Sequence, residues 1–326
     1  MSVASKNNRA SRADEADRVE APSGGGASVP VSASAVADEP REPCPTPLDW
    51  REVLAEFRAA GDPWEIDFDG SAISGRTIGA GPPLYFLNGL VGSHETYALL
   101  AWLLREEFRC VLFDHPAPRN GSRTRDAMIE HVRALSAIAD AHGDVRFDVF
   151  ASGFGGLVAL AAMAKEGNRV RRAAIHAGFA HRRLTLAERT LIRLGRWCPG
   201  RLRHVPMLRT ILRANHLPWF PPFDQSRYDF LESDALATPI RDAAARADAL
   251  RSCDLRPRLA EIDVPVLLIR TEGEGAAATA AQQELESGLK HARSEWLHTT
   301  GPAAFLTHPH RVAKLIREFA GSEPPA

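Results

Sequence analysis

The sequence predicts an α/β protein with a mostly parallel central sheet and helices on both faces. Near-continuous apolar segments recur at residues 83–89, 109–116, 145–152, 169–178 and 264–270. Amphipathic segments of helical period separate them. Strands that are apolar on both faces belong to a parallel sheet covered on both sides, and the intervening helices supply that cover. With 326 residues, 44% hydrophobic and 25% charged, the chain has enough material for such a core.

Residues 1–47 are rich in Ser, Ala, Gly, Pro and charge and contain no aromatic residue, so they read as a disordered tail. From residue 48, "LDWREVLAEFRAAG" carries apolar residues at helical spacing and ends at Gly61, which predicts a lead-in helix. "WEIDFDGSAISGRTIG" predicts two short strands bent at Asp69-Gly70-Ser71. The strand "PLYFLNG" (83–89), the helix 97–108, the strand "RCVLFDHP" (109–116) and the helix 124–143 follow. Then come the strand "VRFDVFAS" (145–152), the helix 154–167 and the strand 169–178.

Between residues 181 and 262 the alternation stops. An Arg-rich helical stretch with interrupting prolines reads there as an inserted helical cap, dividing the core into 48–180 and 263–322. The sheet resumes at "VPVLLIR" (264–270), followed by a helix over 280–290, "RSEWLHT" (293–299) and an amphipathic helix over 308–321. No internal repeat is present.

A net charge of −1 provides no global field for nucleic acid or an anionic membrane, so such a partner needs a local patch. Cys44, Cys110, Cys198 and Cys253 form no CxxC pair and have no metal-ligand spacing to histidine. The first 40 or so residues have no apolar h-region and no apolar run of about 18 residues occurs, so neither a signal peptide nor a membrane span is expected. A reduced, cytoplasmic setting follows as the expectation, with no cofactor and no metal.

"VFASGFGGLVAL" (149–160) resembles a strand-to-helix turn of the kind that mounts a nucleophilic serine, but its serine stands one position early. Sterics set the register, because strand and helix backbones nearly touch and the positions two before and two after the tip must be small. With Ser152 at the tip these would be Phe150 and Phe154. With Gly153 there they are Ala151 and Gly155. The tip is therefore Gly153, and Ser152 points away from the reaction centre.

With that elbow, "FLNG" after the first parallel strand and "THP" before the last helix, residues from about 64 to 320 resemble the cap-bearing α/β-hydrolase family. The C-terminal "DVPVLLI…LHTTGPAAFLTHP" layout resembles maspardin, a member whose triad is incomplete. The resemblance implies a catalytic acid after the strand "VPVLLIR", where "TEGEGAAAT" places Glu274, with Glu272 two before it. Both are expected as solvated loop carboxylates, although Glu can serve as a triad acid. It implies a histidine about seven residues before His308-Pro309, where Gly301-Pro302 stands instead. Proline has no titratable group. His298 and His308 are expected in surface or capping roles.

Losing nucleophile or base costs on the order of 10⁴ to 10⁶ in rate. The expectation is thus a non-catalytic ligand- or protein-binding module, the alternative being a hydrolase of small esters or amides with an altered site. Family members with broken triads serve as hormone receptors or adhesion proteins. The backbone N–H groups of Phe154 and Leu90, after Asn88-Gly89, are candidate ligands for a carboxylate or carbonyl oxygen. His94, His115 and His176 could approach the same sheet edge, as ligand contacts or as hydrogen-bonded structural histidines.

Thr185 and Glu188 form a T-x-x-E capping box at the start of the most basic stretch. Its arginines are expected to decorate solvent while Leu and Ile pack on the core. Contact with an anionic membrane or a phosphorylated ligand is the alternative. "LPWFPPFD" (217–224) is expected to form a rigid crossing over the pocket.

Overall fold

The computed structural model describes residues 49–117, 127–166, 169–222 and 225–322. The expected tail and Cys44 lie outside the described residues. Eight strands form one sheet: β1 (Asp62–Phe68), β2 (Ser71–Ile78), β3 (Pro83–Leu87), β4 (Arg109–Phe113), β5 (Phe147–Ser152), β6 (Val170–His176), β7 (Val266–Thr271) and β8 (Ala292–Leu297). Their order is β1-β2-β4-β3-β5-β6-β7-β8, with β1/β2 and β2/β4 antiparallel and every other pair parallel. The first hairpin turns at Asp69 and Gly70, φ 53° and 80°, as the sequence predicts.

The helices before β6 are α1 (Trp50–Ala60), α2 (Ala98–Leu104), α3 (Ala127–Ala141) and α4 (Phe154–Glu166). Asp49 caps α1 by accepting from the Arg51 N–H at 2.9 Å. The segment between β6 and β7 contains α5 (Leu186–Gly195), α6 (Leu208–His216), α7 (Ser226–Ala237) and α8 (Ile240–Ser252). After β7 come α9 (Gly275–Gly288), the single turn α10 (Ala304–Thr307) and α11 (Pro309–Gly321). Helix α9 begins five residues earlier than the expected 280, because "GAAATAA" is dominated by the best helix former and needs no apolar periodicity to propagate.

Two cores flank the sheet. One packs α3, α4 and part of α8 and α9 against β5, β6 and β7; the other packs α1, α2 and α11 on the opposite face. All six residues of β5 are buried, with Val149 and Ala151 in the first core and Phe150 in the second. This two-sided burial is what the unbroken apolar runs in the sequence signify.

At the edge of the sheet where parallel strands begin, buried Asp144 gathers three of them. Its carboxylate accepts from the Tyr85 hydroxyl of β3 at 2.6 Å and pairs with Arg109 of β4, and its carbonyl accepts from Arg169, just before β6, at 2.8 Å. Removing one donor leaves a buried acceptor short of a partner. Tyr85→Phe is expected to lower stability by about 1–3 kcal/mol, read as the urea midpoint at constant denaturant slope.

Candidate active site

The strand ends β3, β5, β6 and β7 meet at the sheet edge where open parallel sheets bind ligands. Gly153 occupies the turn between β5 and α4 with φ 53°. A β-carbon there would meet no atom within 4 Å. Two residues on, a β-carbon at Gly155 would lie 2.2 Å from the Leu87 carbonyl oxygen and 2.6 Å from that of Asn88. The first turn of α4 thus lies against the backbone that leaves β3, which is the close approach the steric argument requires. Ser152 is buried, pairs with His176 across β5/β6, and its side chain interacts with the phenol of buried Tyr97.

Beside this elbow run Asn88, Gly89 and Leu90. The Phe154 N–H, first in its helix, has no acceptor within it. Neither it nor the Leu90 N–H makes an intramolecular hydrogen bond among the described residues. Beneath Phe154 lie His115 and His131, whose rings stand edge-on to it at 5.1 and 5.0 Å. His115 Nε2 hydrogen-bonds the Asn88 carbonyl at 2.8 Å. Burial, then the charge of Arg246, drives His131 down to about 3; burial, then neighbouring His131 and Arg246, drives His115 well below the usual imidazole range. Both rings are neutral packing elements.

His94 is fixed by Asp114 Oδ1, 2.8 Å from its backbone nitrogen and 3.2 Å from Nδ1. His176 is 0% exposed and edge-on to Phe305 at 5.8 Å. Neither ring nitrogen of His176 has a hydrogen-bond partner, unlike the hydrogen-bonded histidine the sequence leads one to expect. Its Nε2 lies 3.5 Å from Glu274 Oε1.

Glu274 overturns the expectation of a solvated carboxylate. Its side chain is 3% exposed, accepts from Thr271 Oγ1 at 2.7 Å, and is bonded by Gln282 Nε2. Nothing in "TEGEGAAAT" marks which glutamate turns inward; the choice follows from Gln282 two turns along α9. Glu272 is the solvated one, with His298 Nδ1 at 3.1 Å and the Thr299 N–H at 3.2 Å. His298 is exposed, as expected. His308 stands at the N-cap of α11 without a side-chain capping bond, its Nδ1 instead 3.0 Å from Thr307 Oγ1.

The Gly301-Pro302 segment meets the Glu274 loop through Gly273, whose N–H donates to the Thr300 carbonyl at 3.1 Å. Trp219 covers both loops: β-carbons at Gly273 and Gly301 would come within 2.6 and 2.3 Å of its side chain. Within the described part of "LPWFPPFD", Trp219 therefore lies against the backbone of both Gly273 and Gly301.

Sequence reasoning misses two residues that hold the loop beside the elbow. Asp234 of α7 accepts from Ser93 N–H at 2.8 Å, Ser93 Oγ at 2.7 Å and Thr96 Oγ1 at 2.6 Å. Arg246 of α8, 7% exposed, donates from Nη1 to the Leu90 carbonyl at 3.1 Å. They lie 138 to 156 residues from their partners, and no local pattern marks them. Among the described residues no group of three or more His, Cys, Asp or Glu is arranged to hold a metal.

The alpha/beta hydrolase fold family matches residues 82–309, and the chain belongs to that family. Among solved structures it is similar to a hydrolase from Pseudomonas aeruginosa, with 19% identity and a TM-score of 0.67 over 81% of this chain and 100% of that one. It is also similar to the enol-lactonase from Burkholderia xenovorans, with 19% identity and a TM-score of 0.66 over 79% and 100% of the two chains. A thermophilic esterase from Thermogutta terrifontis has 17% identity and a TM-score of 0.65 over 79% and 98%. No curated protein matches the chain.

Two outcomes test this geometry. Gly153→Ala has room but must keep a left-handed backbone, so a loss of about 1–2 kcal/mol is expected. Gly155→Ala drives a methyl into two carbonyls and should cost about 3 kcal/mol or more. Denaturant unfolding of both variants measures the contrast.

The buried pair supplies a second test. Burial, opposed by the Thr271 hydrogen bond, pushes Glu274 up to about 7, so between pH 4.5 and 7 the folded chain binds the extra proton and stability falls as pH rises. Burial pushes His176 down to about 4, so between pH 4 and 6.5 the unfolded chain binds the extra proton and stability rises with pH. The two slopes offset each other in the wild type. Glu274→Gln removes the falling one: relative to wild type it should gain up to about 3 kcal/mol on going from pH 4.5 to pH 8, measured by unfolding at both pH values.

Proposed function

We propose that this chain binds a small carboxylate or carbonyl ligand at its elbow and does not attack it. The observation that carries this reading is the tip itself: Gly153 has the turn, the backbone angle and the open space of a nucleophile position, and no side chain. Pro302 removes the general base independently. The N–H groups of Phe154 and Leu90 have no internal acceptor and suit an oxygen ligand. The helical insertion acts as a cap in this reading, with Trp219 over the acid and base positions and Asp234 and Arg246 fixing the loop that carries Leu90. An incomplete triad also fits the maspardin-like C-terminal layout.

A second reading, hydrolysis of a small ester or amide through an altered site, is favoured by the family and by its hydrolase, lactonase and esterase neighbours. Taken alone, these relatives support catalysis more than its loss. Buried Glu274, held close to neutrality in its titration and 3.5 Å from His176, is the acidic group such a site would use. Against it stands chemistry: no hydroxyl or thiol projects from the tip.

Incubation with a fluorophosphonate, followed by intact mass, together with turnover of short acyl esters, separates the two. The first reading expects no adduct, ester turnover at the buffer rate, and amide shifts at Phe154 and Leu90 on titration with butyrate. Wild-type turnover that disappears in Ser152→Ala or Glu274→Gln establishes the second.

A further inference from the structure

The insertion carries a surface that the elbow does not use. Ten large apolar residues are exposed among the described residues, and all but Ile129, Val145 and Trp296 lie between 186 and 211. This reverses the expectation that the leucines and isoleucines here pack on the core. Helix α5 does pack inward, but through half-buried Ile192 and buried Gly195, with Gly195 against Ala244 of α8, while buried Leu184 precedes its cap. Its capping box forms as expected, Thr185 Oγ1 accepting from the Glu188 N–H at 3.2 Å. The face turned away from the core carries Leu186, Leu191 and Leu194, and Trp197 just beyond is 87% exposed.

Arginines border the exposed apolar residues of each helix. Arg189 and Arg193 sit one turn apart beside the α5 leucines, and Arg209 and Arg213 sit likewise beside exposed Met207 and Ile211. Residues 181–216 hold nine arginines and one glutamate, a charge of +8; the other residues therefore carry −9 to give the chain total of −1. Three ion pairs, Arg182–Glu188, Arg196–Asp248 and Arg209–Glu232, leave Arg183, Arg189, Arg193, Arg201, Arg203 and Arg213 without an acidic partner among the described residues.

We propose that the outer face of α5 and α6 is a docking surface for an anionic lipid membrane. The leucines and Trp197 enter the boundary between headgroups and acyl chains while the arginines meet the lipid phosphates. An exposed apolar stripe bordered by arginine is the pattern of a helix lying in such an interface, and tryptophan is favoured at that depth. Charge argues against a second copy of the chain as occupant, since docking this face on itself would bring the unpaired Arg189, Arg193 and Arg213 of each copy together. It also sets the orientation, because the rest of the molecule is acidic and is repelled by the same lipid. No helix among the described residues is long and apolar enough to cross a membrane, so the contact is peripheral. The proposal is independent of whether the elbow binds or hydrolyses.

The test is co-sedimentation of the full chain with phosphatidylcholine vesicles, with and without phosphatidylglycerol, beside its oligomeric state in solution. Binding is expected only with phosphatidylglycerol and should be released by raised salt. An arginine near an anionic surface contributes about fivefold in partitioning, so Arg189→Glu with Arg193→Glu should weaken binding at least about 20-fold. Leu191→Ser with Trp197→Ser should weaken it by about tenfold or more. Circular dichroism and the thermal midpoint, unchanged at these exposed positions, show that each variant folds. The proposal is overturned by absence of binding to phosphatidylglycerol vesicles, or by binding indifferent to either pair of substitutions. It is equally overturned if Leu191→Ser with Trp197→Ser dissociates a dimer that does not bind vesicles.

Discussion

The architecture of the site depends on one steric contact, the approach of the first turn of α4 to the backbone leaving β3. With the Leu87 and Asn88 carbonyls only 2.2 and 2.6 Å from where a β-carbon of Gly155 would sit, the helix cannot shift along the strand. That contact fixes which residue stands at the turn, and it holds Phe154 N–H beside the segment that carries Leu90. A sequence free to vary the chemistry of the tip is not free to vary residue 155. The steric demand at residue 155 is thus separate from whatever chemistry the tip carries.

The second organising feature is the tie between the helices that join β6 to β7 and the loop after β3. Asp234 gathers a backbone amide and two hydroxyls from Ser93 and Thr96, while the Thr238 hydroxyl accepts from the Gly92 N–H at 2.9 Å. Arg246 brings a buried guanidinium to the Leu90 carbonyl, and its field helps keep His115 and His131 neutral. A hydrogen bond to an ionised partner is stronger than a neutral one, so these contacts tie the loop firmly to α7 and α8. Trp219 lies against Gly273 and Gly301.

Much of this is legible in the sequence where the signal is steric or periodic. The unbroken apolar run of β5, the small pair Ala151 and Gly155, the Thr185–Glu188 capping box and the Asp69-Gly70 bend each follow from local chemistry. What stays hidden depends on tertiary placement. Glu272 and Glu274 look alike along the chain, and only in the fold do Thr271, Gln282 and His176 gather around one of them. Asp234 and Arg246 resemble any surface charge on a helix until the fold carries them across the molecule. The outward leucines of α5 mislead for a related reason: helical periodicity reveals two faces but not which of them meets the core, and here Gly195 gives the inner face its close approach to α8.

The central claim concerns the register of a single turn, and an experimental electron-density map of the wild-type chain around residues 149–156 measures it directly. The account predicts Gly153 at the tip with φ near 53°, Ser152 Oγ turned toward Tyr97, and no side chain projecting between Phe154 and Leu90. Density with Ser152 at the tip in a left-handed conformation, its hydroxyl facing Leu90, would contradict it.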